Sequence, residues 1–209
     1  MSSKGSRRRA EVARKTRETS IELVLDLDDP SVTQVETGIG FFDHMLTALS
    51  KHGRMSLRLK AAGDLHIDQH HLVEDVGIVL GTALREALGS DLRIRRFASA
   101  YAPLDDALAR AVVDLSGRAY LHYGVELSRP QVGGFDTDLV RELFGAFVSN
   151  AQINLHIDLL HGENTHHQIE AVFKATALAL RDAVKRDADL KEVPSTKGTL
   201  SERAARRKA

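Results

Sequence analysis

Hydrophobic and polar residues along the chain follow two rhythms. Ile21, Leu23, Leu25 and Leu27 alternate with Glu22, Val24 and Asp26 and run into Asp28-Asp29-Pro30-Ser31, which predicts a strand closed by a turn. Met55, Leu57 and Leu59 alternate with Ser56, Arg58 and Lys60, and Ile153, Leu155, Ile157 and Leu159 alternate in the same manner. Ala111 to Leu115 is a short apolar run ended by Ser116-Gly117, also read as a strand. Elsewhere apolar residues recur at helical spacing. That predicts helices over Phe41 to His52, His71 to Leu88 (stopping at Gly89), Leu139 to Ser149 and His166 to Val184.

The order of these elements repeats. HMLTALSKHGRMSLRLK followed by HHLVEDVGIVLGTALREAL is matched by ELFGAFVSNAQINLHID followed by HHQIEAVFKATALALRDAV. Leu57 aligns with Leu155 and Leu59 with Ile157. With a two-residue deletion in the loop, His70, His71 and Glu74 align with His166, His167 and Glu170. The pattern predicts an α+β protein of duplicated sheet-plus-helices half-domains, with helices packed on mixed sheets. The expected domain covers residues 9–200, with repeats at about 9–90 and 91–190. Residues 1–8 and 201–209 are basic and poor in apolar side chains, and are read as flexible tails. No aromatic residues interleave with their charges, which favours a solubilising role over nucleic-acid binding.

Composition narrows the chemistry. Lys plus Arg equals Asp plus Glu, so no net charge draws the chain to nucleic acid or an anionic membrane. The absence of cysteine removes disulfides, thiolate metal sites and thiol nucleophiles. No apolar run approaches the roughly 20 residues of a membrane span, and the polar N-terminus lacks a signal-peptide core, so a cytoplasmic location without membrane partners is expected. Ten histidines, several in pairs, are the one compositional oddity.

The HHxxxE signature puts those histidines to use. Residues four apart on a helix share a face, so His70 with Glu74, and His166 with Glu170, can each approach one ion. Neighbours diverge by roughly 100°, so His71 and His167 must point elsewhere. The economical solution is two ions, each held by one repeat's local pair and the other repeat's sideways histidine. Imidazole with carboxylate suits manganese, iron, nickel or zinc. A dinuclear metallohydrolase and a non-catalytic metal-storage or metal-stabilised interaction protein are rival readings of the same ligands.

The segments FFDHMLTALSKH, GDLHIDQHHLVEDVGIVLGTAL, DLSGR, GENTHHQIEAVFKATALALR and PSTKGTLS resemble imidazoleglycerol-phosphate dehydratases, over roughly Arg8 to Ser201. The resemblance implies a ribosomal protein S5 domain 2-like fold and a lyase of histidine biosynthesis. The reaction removes water from D-erythro-imidazole-glycerol phosphate to give imidazole-acetol phosphate. The resemblance also implies two manganese ions per active site. One would be held by His44, His71, His166 and Glu170, the other by His70, Glu74, His167 and Glu142. Many members carry histidine where this chain has Glu142, in RELF; Gln69 and Ala48 are smaller departures. In the mechanism that the resemblance implies, the metals would act as Lewis acids and template, and a ring held as imidazolate would be electron-rich enough to expel the neighbouring hydroxyl.

Glu18 matches the family's substrate-contacting glutamate and is the candidate general acid/base. His52, Arg96, Arg118, Lys174, Ser195, Thr196 and Lys197 match its substrate-binding positions, and the ligands His44, His70, Glu74 and His166 also face substrate. Arginine suits phosphate oxygens because its guanidinium is a planar fork of donors. Asp105 and Asp106, after Pro103, are candidates for orienting metal ligands. Family members assemble trimers into twenty-four-subunit shells with active sites shared between chains, so a homo-oligomer of that kind is expected.

Overall fold

The computed structural model describes residues 7–90, 93–190 and 193–195. The first series of elements is β1 (Arg9–Lys15), β2 (Thr19–Asp26), β3 (Thr33–Glu36), α1 (Gly40–Gly53), β4 (Ser56–Gly63) and α2 (His70–Leu88). The second is β5 (Phe97–Leu104), β6 (Ala107–Asp114), β7 (Tyr120–Gly124), the short hairpin β8 (Gln131–Val132) and β9 (Phe135–Asp136), α3 (Leu139–Ala151), β10 (Asn154–His161) and α4 (Thr165–Ala183). Apart from that hairpin the two series are the same. The sheets are ordered β1-β2-β4-β3 and β5-β6-β10-β7. In each, three strands run antiparallel and the last pairs parallel.

Register confirms the internal alignment residue by residue. Leu25 lies opposite Leu57 and Leu23 opposite Leu59. In the second sheet Val113 lies opposite Leu155 and Ala111 opposite Ile157. All eight are buried on the helix-covered face, as a period of two requires. Both short helices end on a left-handed residue, Arg54 at φ 51° and Gln152 at φ 57°, which turns the chain into the following strand.

Alternation had not marked β1, β3, β5 and β7. All four are sheet edges, and edge strands carry more polar side chains than the strands they flank. Arg7 and Arg8, assigned to the N-terminal tail from sequence, are held to the fold by side-chain contacts. Arg8 is buried, bonds the Asp28 carboxylate at 2.6 Å and donates to the Val184 carbonyl. Arg7 pairs with Asp26 and Asp29, and Arg9 already lies in β1. Residues 1–6 and 201–209 lie outside the described residues.

The helices cross between repeats. α2 covers β1 and β2 but packs on α3 of the second repeat, while α4 covers β5 and β6 and packs on α1 of the first. One apolar cluster therefore runs through both halves. This crossing brings His44 of the first repeat to His166 and Glu170 of the second.

The two-residue deletion has two parts. A bulge between Leu159 and His161 adds one residue to β10. It brings Gly162 to the place of Gly63: a Cβ on Gly63 would meet Thr19 and Leu72, and one on Gly162 would meet their counterparts Ala107 and Gln168. The loop from that glycine to the HH pair is then three residues shorter in the second repeat, 163–165 against 64–69.

Candidate metal centre and active site

α4 starts at Asn164, whose side chain accepts from the backbone N–H groups of His166 and His167. One turn on, His166 Nε2 lies 3.2 Å from Glu170 Oε2. From α1, His44 Nε2 reaches the same oxygen at 3.0 Å. The ligand atoms of these three residues lie within 4.8 Å of one another, close enough to share one ion. Phe41 packs its ring on His166 with centroids 5.2 Å apart. Lys174, a turn beyond Glu170, holds its other oxygen at 2.7 Å. Burial pushes the Glu170 pKa up, but Lys174, His44 and His166 outweigh it and bring it down to about 2. The carboxylate is thus ionised and ready for a cation.

The adjacent histidines diverge as helix geometry requires. The rings of His70 and His71 stand 6.2 Å apart at 86°, those of His166 and His167 6.2 Å apart at 80°. His71 turns its Nδ1 to Asp64 Oδ2 at 3.0 Å, with Glu18 Oε2 at 3.9 Å, and these three form a second candidate cluster. The hydrogen bond to Asp64 raises the His71 pKa, and the same bond lowers that of Asp64. The other Asp64 oxygen is buried without a partner. His167 turns its Nδ1 to Asp106 Oδ1 at 2.6 Å, and Asp105 lies 3.7 Å from its Nε2. That bond, with two backbone N–H groups, holds Asp106 far below the usual carboxylate range. Imidazoles held through Nδ1 by a carboxylate present Nε2 outward, which is how ligating histidines are commonly arranged. The donor set therefore fits imidazole- and carboxylate-binding ions.

The remaining expected residues are more dispersed. Among the described residues, His70, Glu74 and Glu142 join no cluster of three ligand atoms, and His71 does not join His44, His166 and Glu170. Glu142 sits in the first turn of α3, beside a groove with Tyr123, Arg129 and Arg141. His52 lies in the last turn of α1, where burial and then Lys174 push its pKa down. Arg96, at φ 69°, bonds Asp114 at 2.7 Å and the Pro194 carbonyl at 2.6 Å, so it tethers the start of the PSTKG segment. Arg118 is exposed after β6, its carbonyl accepting from Asn154. Ser195 follows the Arg96 tether; Thr196 and Lys197 lie outside the described residues. Of the two small departures, Gln69 leaves its Oε1 buried without a hydrogen-bond partner among the described residues. Gln69 donates to the Gly134 carbonyl at 3.2 Å, and Ala48 is buried in α1. Asp64 was not foreseen: a carboxylate just past a strand end has no periodicity to mark it.

The family model for imidazoleglycerol-phosphate dehydratase matches residues 37–180, more than half of the chain. The chain belongs to the imidazoleglycerol-phosphate dehydratase family. Proteins of that name from Streptococcus mutans and Oceanobacillus iheyensis are 53% and 54% identical, each over 92% of this chain and all of the relative. Among solved structures, the Staphylococcus aureus imidazoleglycerol-phosphate dehydratase superposes with a TM-score of 0.79 at 42% identity, over 86% of this chain and 99% of that one. The corresponding Pyrococcus furiosus protein gives 0.78 at 37% identity, over 90% of this chain and 100% of that one. The matched region runs from just before α1 into α4 and so takes in both HHxxxE signatures, while β1, β2 and β3 precede it.

Proposed function

We propose that this chain is a hydro-lyase of histidine biosynthesis that removes water from D-erythro-imidazole-glycerol phosphate to give imidazole-acetol phosphate, with two manganese ions at each active site. The observation that carries the reading is the convergence of His44 with His166 and Glu170 across the two repeats of a member of this dehydratase family. When bound, manganese supplies Lewis acidity at the nitrogens of the substrate ring. The chain's own groups do the rest. Lys174 keeps Glu170 ionised. Glu18, about half exposed and 3.9 Å from the His71 ring, has a carboxylate free to take the substrate's carbon-bound proton and return one to the departing hydroxyl. Arg118, Lys174, Ser195, Thr196 and Lys197 provide cations and donors for the phosphate, with Arg96 anchoring the segment that carries the last three.

The ligand sets are His44, His71, His166 and Glu170 for one ion, and His70, Glu74, Glu142 and His167 for the other. Neither set closes within one chain among the described residues. This supports sites shared between subunits of a homo-oligomer, here taken as twenty-four chains built from trimers. No helix of the described residues is long and apolar enough to cross a membrane, and the small soluble substrate suits an enzyme of the cytoplasm. The test is manganese-dependent formation of the enolisable ketone from imidazoleglycerol phosphate, run beside generic phosphate esters. Turnover of the esters alone would make the protein a dinuclear metallohydrolase instead.

A further inference from the structure

The two repeats hold their sideways histidines by different means. Thr19, which opens β2, and Ala107, which opens β6, occupy the same register position, so Glu18 and Asp106 are equivalent residues of the β1–β2 and β5–β6 turns. Asp64 and Glu163 are likewise equivalent, each following the strand-end glycine. In the first repeat the loop residue supplies the hydrogen-bonded carboxylate: Asp64 bonds His71 Nδ1, while in the turn the Glu18 carbonyl accepts the Asp64 N–H at 3.1 Å and the Glu18 carboxylate stays 3.9 Å from the ring. In the second repeat the turn supplies it. Asp106 Oδ1 bonds His167 Nδ1 at 2.6 Å, and Asp106 Oδ2 accepts the N–H groups of Glu163 at 2.6 Å and Asn164 at 3.0 Å. Asn164 in turn caps α4 at the His166 and His167 N–H groups.

Loop length explains the exchange. The first repeat has six residues between its glycine and the HH pair, enough to fold an aspartate back onto the imidazole. The second has three, and its backbone is pulled straight onto the neighbouring turn. A carboxylate reaching from outside the loop is then needed to orient the ring.

We propose that Asp106 is the positioning residue of the second repeat: one oxygen fixes His167 as its Nδ1–H tautomer with Nε2 free for the metal, while the other clamps the loop that caps α4. The same comparison leaves Glu18, its counterpart, uncommitted at 3.9 Å from His71. The inference rests on His167 being a metal ligand, as proposed above.

Asp106→Asn separates the two duties. Its single carbonyl oxygen serves either the backbone N–H groups or His167, not both. With the oxygen on the backbone, the amide NH2 faces Nδ1, which must then accept, moving the ring proton to Nε2 where a metal would bind. Calorimetric titration of the full-length, metal-stripped protein with manganese(II) alone is expected to show one of the two sites weakened about 10- to 100-fold. His167→Ala should weaken that same site at least as much. Both sites unchanged in D106N but one lost in the His167 variant would overturn the positioning role. Both sites unchanged in the His167 variant would overturn the ligand reading itself. Nitrogen NMR of histidine-labelled, metal-free wild-type protein at alkaline pH gives a check that needs no variant. The Nδ1–H tautomer is expected for His167, and an Nε2–H tautomer would overturn the proposal even if D106N does not fold.

Discussion

Gly81 of α2 faces Phe147 of α3 so closely that a Cβ on the glycine would lie 2.3 Å from the Phe147 carbonyl oxygen. One turn earlier, a Cβ on Gly77 would lie 2.6 Å from the Leu143 carbonyl. The two glycines, four apart, form a groove on α2 into which the α3 backbone fits. In an open helix Gly→Ala gains about 1 kcal/mol. Here the obstacle is backbone of a buried neighbour, and overpacking costs about 1–3 kcal/mol, which offsets or exceeds that gain. Gly81→Ala is therefore expected to lower the urea midpoint, and a raised midpoint would show that the helices can part freely. Because α3 carries Glu142 and α2 carries His70 and Glu74, the variant should also weaken manganese binding.

Glu18→Gln should leave manganese content and substrate affinity nearly intact while turnover falls by about 10²- to 10⁴-fold, the usual cost of losing a positioned base. Metal analysis and substrate titration beside steady-state kinetics would decide it; loss of manganese would make Glu18 a ligand. Lys197→Ala should do the opposite and raise the Michaelis constant.

Glu142 is the counterpart of His44 in the duplicated pattern. Exchange of the repeats turns His44, His71, His166 and Glu170 into Glu142, His167, His70 and Glu74. The second ion should then have two carboxylates and two imidazoles, a set manganese accepts well. Anomalous diffraction at the manganese edge is expected to show two ions per subunit at similar occupancy with Glu142 bonded to one. A filled site with Glu142 turned away would contradict the symmetry argument.

Acid should act through Glu170. Its folded pKa lies near 2, against 4.5 for an unperturbed glutamate. A depressed carboxylate stabilises the fold above its unfolded value, and that contribution is lost as pH falls through the folded value. The metal-free protein should therefore lose stability between about pH 4.5 and pH 2, and Glu170→Gln should flatten that part of a urea-midpoint profile. An identical slope in the variant would place the acid sensitivity elsewhere.

Assembly and metal should be linked. If ligands from neighbouring chains complete each site, ions bind the assembled form alone and stabilise it by mass action. Light scattering before and after chelation is expected to show a shift to smaller species, reversed by manganese. A monomer fully active with manganese would refute shared sites.

Part of the candidate site could be read from the chain because its HHxxxE pairs are local. HHxxxE is a helix-period motif, and the divergence of His70 from His71 follows from turn geometry alone. The central strands were equally plain, since Leu23, Leu25, Leu57 and Leu59 are buried at a strict period of two. What escaped depends on tertiary neighbours. β1, β3, β5 and β7 are edges with little to bury on their outer side. Arg8 looked like tail, yet is buried because Asp28 and the Val184 carbonyl wait for it. Asp64 acquires its role only when β4 delivers it beside His71. That α1 packs on α4, bringing His44 to Glu170, is set by which apolar faces meet, and a linear pattern does not say which.

The crossed helices make each half an incomplete object. Cut between α2 and β5, the first half would keep His44 but lose Glu170, and α2 would be left with its glycine groove empty. The halves could meet again only at a rate and to an extent set by their concentrations. Joined by a short connector, they see one another at an effective concentration of the order of millimolar. The linkage thus turns a dilution-sensitive docking event into one whose strength no longer depends on how much protein is present.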